Sequence, residues 1–261
     1  MSAAAERGER QFTIGISLKL YMGVAESASW AASLARIARN HPAAAATDIF
    51  VAPSFPALPA VAGALTGSRI RLAAQDVFWE DAGAFTGEVG AGQLVEVGCS
   101  VVEIGHAERR RLFGETDEIV AAKAATSARH GLQPLVCVGE PEHTSAPLAA
   151  LEVVTQIDAA FAGATPGEMR PWIVAYEPHW AIGRQQPAST AHIAQVLDAL
   201  ALWGAESGHR PTLLYGGSAR PGTLTELADT TSAVDGVFLG RYAHDPRTLT
   251  SVLNEIDALA T

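Results

Sequence analysis

The sequence predicts a closed (β/α)8 barrel, and three observations predict it. Short, almost wholly apolar β-rich runs alternate strictly with Ala/Leu-rich helical stretches along the chain. Eight such runs fit into 261 residues, at about 30 residues to a βα unit. No linker or shift in composition divides them, so one barrel domain is expected over residues 11–261, after a short frayed N-terminus at residues 1–10. A doubly wound open sheet is the runner-up, but no G-x-G-x-x-G follows the first run.

The elements follow in order. The first predicted strand is Phe12–Leu18, and the helical pattern Ala25–Arg39 comes after it. Strands at Asp48–Ala52, Ile70–Ala74 and Val101–Ile104 are short and apolar, as suits parallel strands covered on both faces. Thr116 before "DE" is an N-cap signal that opens a helix over Asp117–His130. Pro134–Val138 reads as strand, Pro147–Phe161 as helix and Trp172–Tyr176 as strand again. Ser189 or Thr190 caps a helix at Thr190–Ala205. Strands Thr212–Tyr215 and Gly236–Leu239 close the series, and Asp245 with Pro246 starts the last helix, Pro246–Leu259.

Composition limits what the chain can do. The formal charge of −10 argues against nucleic acid and anionic membranes as partners, yet leaves room for a small anionic substrate whose field is set locally. Cys99 and Cys137 lie in apolar runs without metal-ligand spacing, which suggests a reduced, cytoplasmic protein with no metal. No segment has the apolar length of a membrane span.

A barrel places its chemistry in the loops after the strand C-termini. Lys19 follows the first strand, "GHAERR" the fourth, "YEPHWAIG" the sixth, "YGGSARPG" the seventh and "GRYAHDP" the eighth. Taken singly, His106 reads as a structural or exposed histidine, and Glu177 as a carboxylate paired with some cation. On one barrel rim they can converge on one small molecule. A desolvated carboxylate is the better proton acceptor, an imidazole can polarise a carbonyl, and Lys19 supplies a fixed positive charge. Gly183, Gly216-Gly217-Ser218 and Gly240 offer backbone N–H groups to an anion such as a phosphate, although any one of these glycines could be a plain turn residue. Residues Pro178–Ala188 have a hydrophobic tip between proline-containing ends and read as a lid, or else as a loop packed permanently on the barrel.

The segments "EIGHAERRRLFGETDE", "PLVCVGE", "VAYEPHWAIG", "LYGGSARPG", "VDGVFLG" and "AQDVFWEDAGAFTGEVG" resemble triosephosphate isomerase and its relatives, in register from Phe12 onward. The resemblance implies that Glu177 is the catalytic base, His106 the neutral electrophile and Lys19 the electrostatic anchor, with Glu108 pairing Lys19. It implies a phosphate cradle from the backbone of Gly183, Ser218, Gly240 and Arg241, with Ser17 beside the substrate. Pro178, His179, Trp180, Ala181, Ile182 and Gly183 would form the lid. Glu140 and Arg110 would be supports, and Thr86 would enter a neighbouring subunit in a homodimer. No cofactor is implied. The implied activity is an aldose–ketose isomerisation of a small sugar phosphate through an enediolate. Dihydroxyacetone phosphate and glyceraldehyde 3-phosphate are the first expectation, and L-erythrulose 1-phosphate is the alternative.

Several positions depart from that family's pattern. Ser17, Leu18, Leu20 and Tyr21 surround Lys19 where the family has asparagine, tryptophan, methionine and asparagine. Asp76 stands for an asparagine, Ala107 for a serine and Arg241 for the second glycine of a pair, and His179 and the "GRQQPA" end also differ. Relatives acting on four-carbon sugar phosphates resemble this chain in having arginine at that glycine position. Two other function classes share some of these residues. A Schiff-base lyase would need Lys19 uncharged, and a non-catalytic sugar-phosphate binder would not need Glu177.

Overall fold

The computed structural model describes residues 11–162, 172–182 and 187–260. Eight parallel strands pair in sequence order and close into a single-domain (β/α)8 barrel. They are β1 (Thr13–Ser17), β2 (Asp48–Ala52), β3 (Arg71–Ala74), β4 (Cys99–Ile104), β5 (Gln133–Val138), β6 (Ile173–Tyr176), β7 (Thr212–Tyr215) and β8 (Gly236–Leu239). Closure is made by β1 against β8, with Thr13 opposite Gly236 and Ile16 opposite Leu239. Each predicted strand is present, within two residues of its expected limits. The frayed N-terminus expected at residues 1–10 lies outside the described residues.

Nine α-helices lie among the described residues: α1 (Val24–Asn40), α2 (Leu58–Leu65), α3 (Ala91–Glu96), α4 (Ala107–Phe113), α5 (Asp117–Arg129), α6 (Ala146–Phe161), α7 (Thr190–Ser207), α8 (Thr223–Ala228) and α9 (Arg247–Leu259). The five long ones match the predicted patterns. The four short ones, α2, α3, α4 and α8, were not expected as helices, because six to eight residues show too little periodicity to stand out. Thr116 and Ser189 cap α5 and α7 through the N–H groups of Ile119 and His192. The Asp245 carboxylate accepts from the Arg247 N–H at the start of α9.

Two apolar layers follow from strand alternation. One fills the space between sheet and helices. The other lies inside the barrel and is built from Phe50, Ala52, Ala73, Val101, Leu135, Cys137, Ile173, Ala175, Leu214 and Phe238. Phe50 and Phe238 cross the interior over Gly15, where a Cβ would sit 2.3 Å from the Phe50 ring. A glycine in β1 is therefore the counterpart of two large rings. Above this layer the same alternation turns Ser17 of β1 and Glu103 of β4 inward, towards the C-terminal rim.

Candidate active site

Lys19, His106, Glu108, Glu177, Gly216, Gly217, Ser218, Gly240 and Arg241 line one cavity of about 570 Å³ at that rim, together with Ser17. These expected residues and Ile182 are thus brought together, whereas Pro178, His179, Trp180, Ala181 and Thr86 are not on the cavity wall and Gly183 lies outside the described residues.

Lys19 follows β1 with φ at 49°, in the left-handed region that costs a side-chain-bearing residue about 1 kcal/mol or more. Gln75 helps hold this turn. Its amide donates to the Lys19 carbonyl at 3.0 Å and to the Ala52 carbonyl at 2.9 Å. Gln75 was not singled out in the sequence, since nothing about one amide after an apolar strand marks it. The Lys19 ammonium donates to Glu108 Oε1 at 2.8 Å, as the resemblance implied. Burial alone would lower the Lys19 pKa, but the nearby carboxylates of Glu177, Glu108 and Glu103 outweigh it and leave it raised. Lys19 is held as a cation.

His106 is the N-cap of α4, and its Nδ1 accepts the Glu108 backbone N–H at 3.1 Å. That bond puts the imidazole proton on Nε2. Burial, with the charges of Lys19, His179 and Arg109 added, pushes the His106 pKa down to about 3, so the ring is neutral at ordinary pH. Its Nε2 is 3.3 Å from Glu177 Oε2 and 4.0 Å from Glu103 Oε1.

Glu177 leaves β6 almost fully buried. Burial raises its pKa to about 8; the Lys19 charge pulls the other way, while Glu103 and Glu108 add to the rise. Its Oε2 has no hydrogen-bond partner among the described residues. The carboxylate passes so near the seventh loop that a Cβ at Gly216 would fall 2.7 Å from Glu177 Oε1. A side chain at Gly216 would have to displace the Glu177 carboxylate, and glycine leaves it in place.

The seventh and eighth loops complete the wall, with Ser218, Gly240 and Arg241 bordering the cavity, and closure of β8 on β1 sets the eighth loop beside the one that carries Lys19. Arg241 begins a short 3-10 turn, Arg241–His244, and its φ is not positive, so the side chain in place of glycine is accommodated without backbone strain. Its guanidinium adds a positive charge at the cavity wall.

The segment expected to form a lid begins as a 3-10 turn at His179–Ala181. Trp180 Nε1 donates to Glu140 at 2.7 Å, the His179 N–H donates to the Glu140 carbonyl, and Ser218 Oγ reaches the Ala181 carbonyl at 3.3 Å. Ile182 then faces the cavity. Glu140 is fully buried and also takes the Tyr176 hydroxyl and His192 Nε2. Arg110 donates to the Gly105 carbonyl and pairs with Asp117 at 2.6 Å. Both residues act as supports.

Two of the departures have partners of their own. Ser17 borders the cavity, but its hydroxyl hydrogen is not aimed at the substrate space. Ser17 Oγ donates instead to Glu103 Oε2 at 2.9 Å. Asp76, in place of asparagine, joins a buried four-charge cluster: Lys123 at 2.6 Å, Arg109 at 2.9 Å, and Glu115 bridging both cations. Burial raises the Asp76 pKa, and Lys123 opposes that.

Glu103 is the residue that sequence reasoning missed. It is 3% exposed, and burial lifts its pKa to about 7 against the pull of Lys19 and the Ser17 hydrogen bond. The signal was present, since a carboxylate inside "CSVVEI" has no business in an apolar strand unless something needs it.

Comparison with known proteins agrees with this geometry. The model of the family "Triosephosphate isomerase" matches residues 12–256. L-erythrulose-1-phosphate isomerase of Pectobacterium atrosepticum is 43% identical, over 97% of this chain and 98% of its own. The enzyme of the same name from Mycolicibacterium smegmatis is 40% identical, over 93% and 92%. Triosephosphate isomerase of Symbiobacterium thermophilum is 40% identical, over 78% and 82%.

Proposed function

This chain belongs to the triosephosphate isomerase family and is an isomerase of the aldose–ketose class, and from that premise we propose that it moves a carbonyl between adjacent carbons of a ketose phosphate through an enediolate. The observation that carries the mechanism is the meeting of Glu177, His106 and Lys19 within one buried corner. Glu177 takes a proton from the carbon beside the carbonyl. The C–H electron pair forms the carbon–carbon double bond, and the carbonyl oxygen takes up the negative charge. His106 Nε2–H and the Lys19 ammonium face that oxygen, which favours the charge where it develops. Glu177 then returns its proton to the neighbouring carbon. The ring of His106 carries a proton between the two oxygens.

Gly183, Ser218, Gly240 and Arg241 are proposed to hold the phosphate, and residues from Pro178 to Gly183 to close over it. A dry site favours the step, because it strengthens every charge interaction and keeps water from the enediolate. A Schiff-base lyase is disfavoured by the raised Lys19 pKa, since an ammonium has no lone pair with which to attack.

The substrate proposed is L-erythrulose 1-phosphate, supported by two relatives of that name aligned over nearly their full length. It carries a hydroxymethyl group where dihydroxyacetone phosphate has one hydrogen on the carbon that loses its proton. The carbon that loses its proton and becomes the new carbonyl is then internal, so the same enediolate shift that gives an aldose from the triose gives a second ketose phosphate here. Interconversion of dihydroxyacetone phosphate and glyceraldehyde 3-phosphate is the second reading, favoured by the intact acid, base and cation. Side-by-side kcat/KM values on the two ketose phosphates decide between them, the larger value naming the substrate. Glu177→Gln should cut kcat on either by about a thousandfold, and a variant with wild-type turnover would refute the base.

The chain is also proposed to work as a homodimer. Thr86 is exposed on the loop between β3 and α3, with Phe85 half-exposed beside it and Leu20 and Tyr21 exposed after β1. Among the described residues no helix is long and apolar enough to cross a membrane.

A further inference from the structure

Glu103 is not among the residues that line the cavity, yet its carboxyl lies directly behind two that do. One oxygen accepts the Ser17 hydroxyl at 2.9 Å, and the other is 4.0 Å from His106 Nε2. Ser17 ends β1 two residues before Lys19, and His106 caps α4, so both neighbours border the cavity next to the groups proposed to face the carbonyl oxygen. A carboxyl at 3% exposure in the middle of an apolar strand is costly unless its hydrogen bond has a use, and an aliphatic residue would fill β4 at less cost.

A serine hydroxyl has one hydrogen and two lone pairs. Once that hydrogen is given to Glu103, Ser17 has only acceptor capacity left, and Ser17 is on the cavity wall. An acceptor cannot stabilise a carbonyl oxygen or an enediolate, both of which want a donor. It can take the O–H of a substrate hydroxyl.

We propose that Glu103 is a positioning residue that sets Ser17 as a hydrogen-bond acceptor for the hydroxymethyl group of a four-carbon ketose phosphate, so that the Ser17–Glu103 pair selects it over a three-carbon one. The proposal rests on the isomerase reading given above. A site built to accept a substrate hydroxyl leaves its own polar pair unmatched when the substrate lacks that group, and such mismatches discriminate strongly. The triose phosphate has a hydroxyl on the carbon that loses its proton but lacks the second, on a further carbon, that this pair would take.

The test is steady-state kinetics at about pH 8, above the value of about 7 to which burial lifts Glu103. Dihydroxyacetone phosphate and L-erythrulose 1-phosphate are compared on the wild type, Ser17→Ala, Glu103→Leu, Glu103→Gln and the Ser17→Ala/Glu103→Leu double variant. Ser17→Ala and Glu103→Leu should each lower the tetrulose-to-triose ratio of kcat/KM by about tenfold or more. The loss should appear mainly as a higher KM for the tetrulose phosphate. Glu103→Gln should keep the ratio within about threefold of wild type, because its amide oxygen still accepts from Ser17. The double variant should fall no further than Ser17→Ala alone, since the carboxyl acts through the hydroxyl.

A ratio unmoved in Ser17→Ala overturns the proposal, and that variant carries the test if Glu103→Leu does not fold. Additive losses in the double variant, or equal losses on both substrates in Glu103→Leu, overturn it too, since they describe a structural carboxylate. Wild-type turnover of the triose alone sinks this inference and leaves the isomerase reading standing. A wild type inactive on both substrates sinks the isomerase reading, and this inference with it.

Discussion

Burying the Glu177 carboxyl costs stability. Its ordinary carboxylate value of 4.5 is raised to about 8 by burial in the folded chain. Between those values the folded protein holds a proton that the unfolded chain has released, so stability falls as pH rises through that window. Glu177→Gln carries no charge to bury. Its Tm should exceed that of the wild type by about 3 °C or more near pH 8, with the gain vanishing near pH 4, where the carboxyl is neutral in both states. Thermal unfolding followed by circular dichroism at the two pH values checks this, and a gain that did not depend on pH would place the effect in packing instead. His106 works in the other direction and over a lower range. Its pKa, pushed down to about 3, costs stability as pH falls below the usual histidine value of 6.5. At this scale the sequence was legible where function concentrates charge at strand ends, and Lys19, His106, Glu108 and Glu177 all stood out. It was not legible for Glu103, because the hydroxyl that donates to that carboxyl is 86 residues earlier in the chain. Only barrel closure brings the two together.

The elements are held in register by charges as well as by apolar packing. Lys123 on α5 is almost fully buried, and it ties Asp76 after β3 to Glu115 ahead of α5. Arg109 on α4 crosses the same two carboxylates and lies over the Phe113 ring at 4.7 Å. Removing one partner from such a cluster leaves the others charged and buried. Lys123→Met should therefore destabilise the protein by about 3 kcal/mol or more in urea unfolding. A change below about 1 kcal/mol would show that water reaches the cluster and shares its charge. The long helices could be read from apolar spacing and caps. The short helices α4 and α8 could not, since their existence depends on the loops that precede them. His106 is at once the cap of α4 and the proposed electrophile of the site. The helix and the chemistry share one residue, which is why "GHAERR" looked like a loop motif in the sequence.

The whole molecule presents its loop at residues 79–89 as an exposed arm. The Phe78 N–H donates to the Val89 carbonyl at its base, and Phe85 stacks on Phe78 with ring centres 4.6 Å apart. Thr86 at its tip is exposed. Thr86→Arg should convert the proposed dimer to a monomer in analytical ultracentrifugation, and lower kcat with it if the arm steadies the loop carrying Lys19. A wild type that sediments as a monomer would remove the dimer and leave each barrel to work alone. The barrel itself was legible from strict alternation together with the count of eight runs and the lack of a linker. The pairing of partners across an interface leaves no periodic trace in a single chain.

The seam between β1 and β8 has a consequence for how the protein is made. Lys19 emerges from the ribosome early, and the loops at Ser218 and Gly240 come some 200 residues later. Until β8 is available, β1 has one neighbour, and its other edge is open to any strand that comes near. Contacts of such long sequence separation form slowly. A growing chain would therefore display apolar strands, and no catalytic power, until its last quarter had been synthesised. Activity would then appear in a single step with closure, which makes turnover itself a sensitive reporter of complete folding during translation.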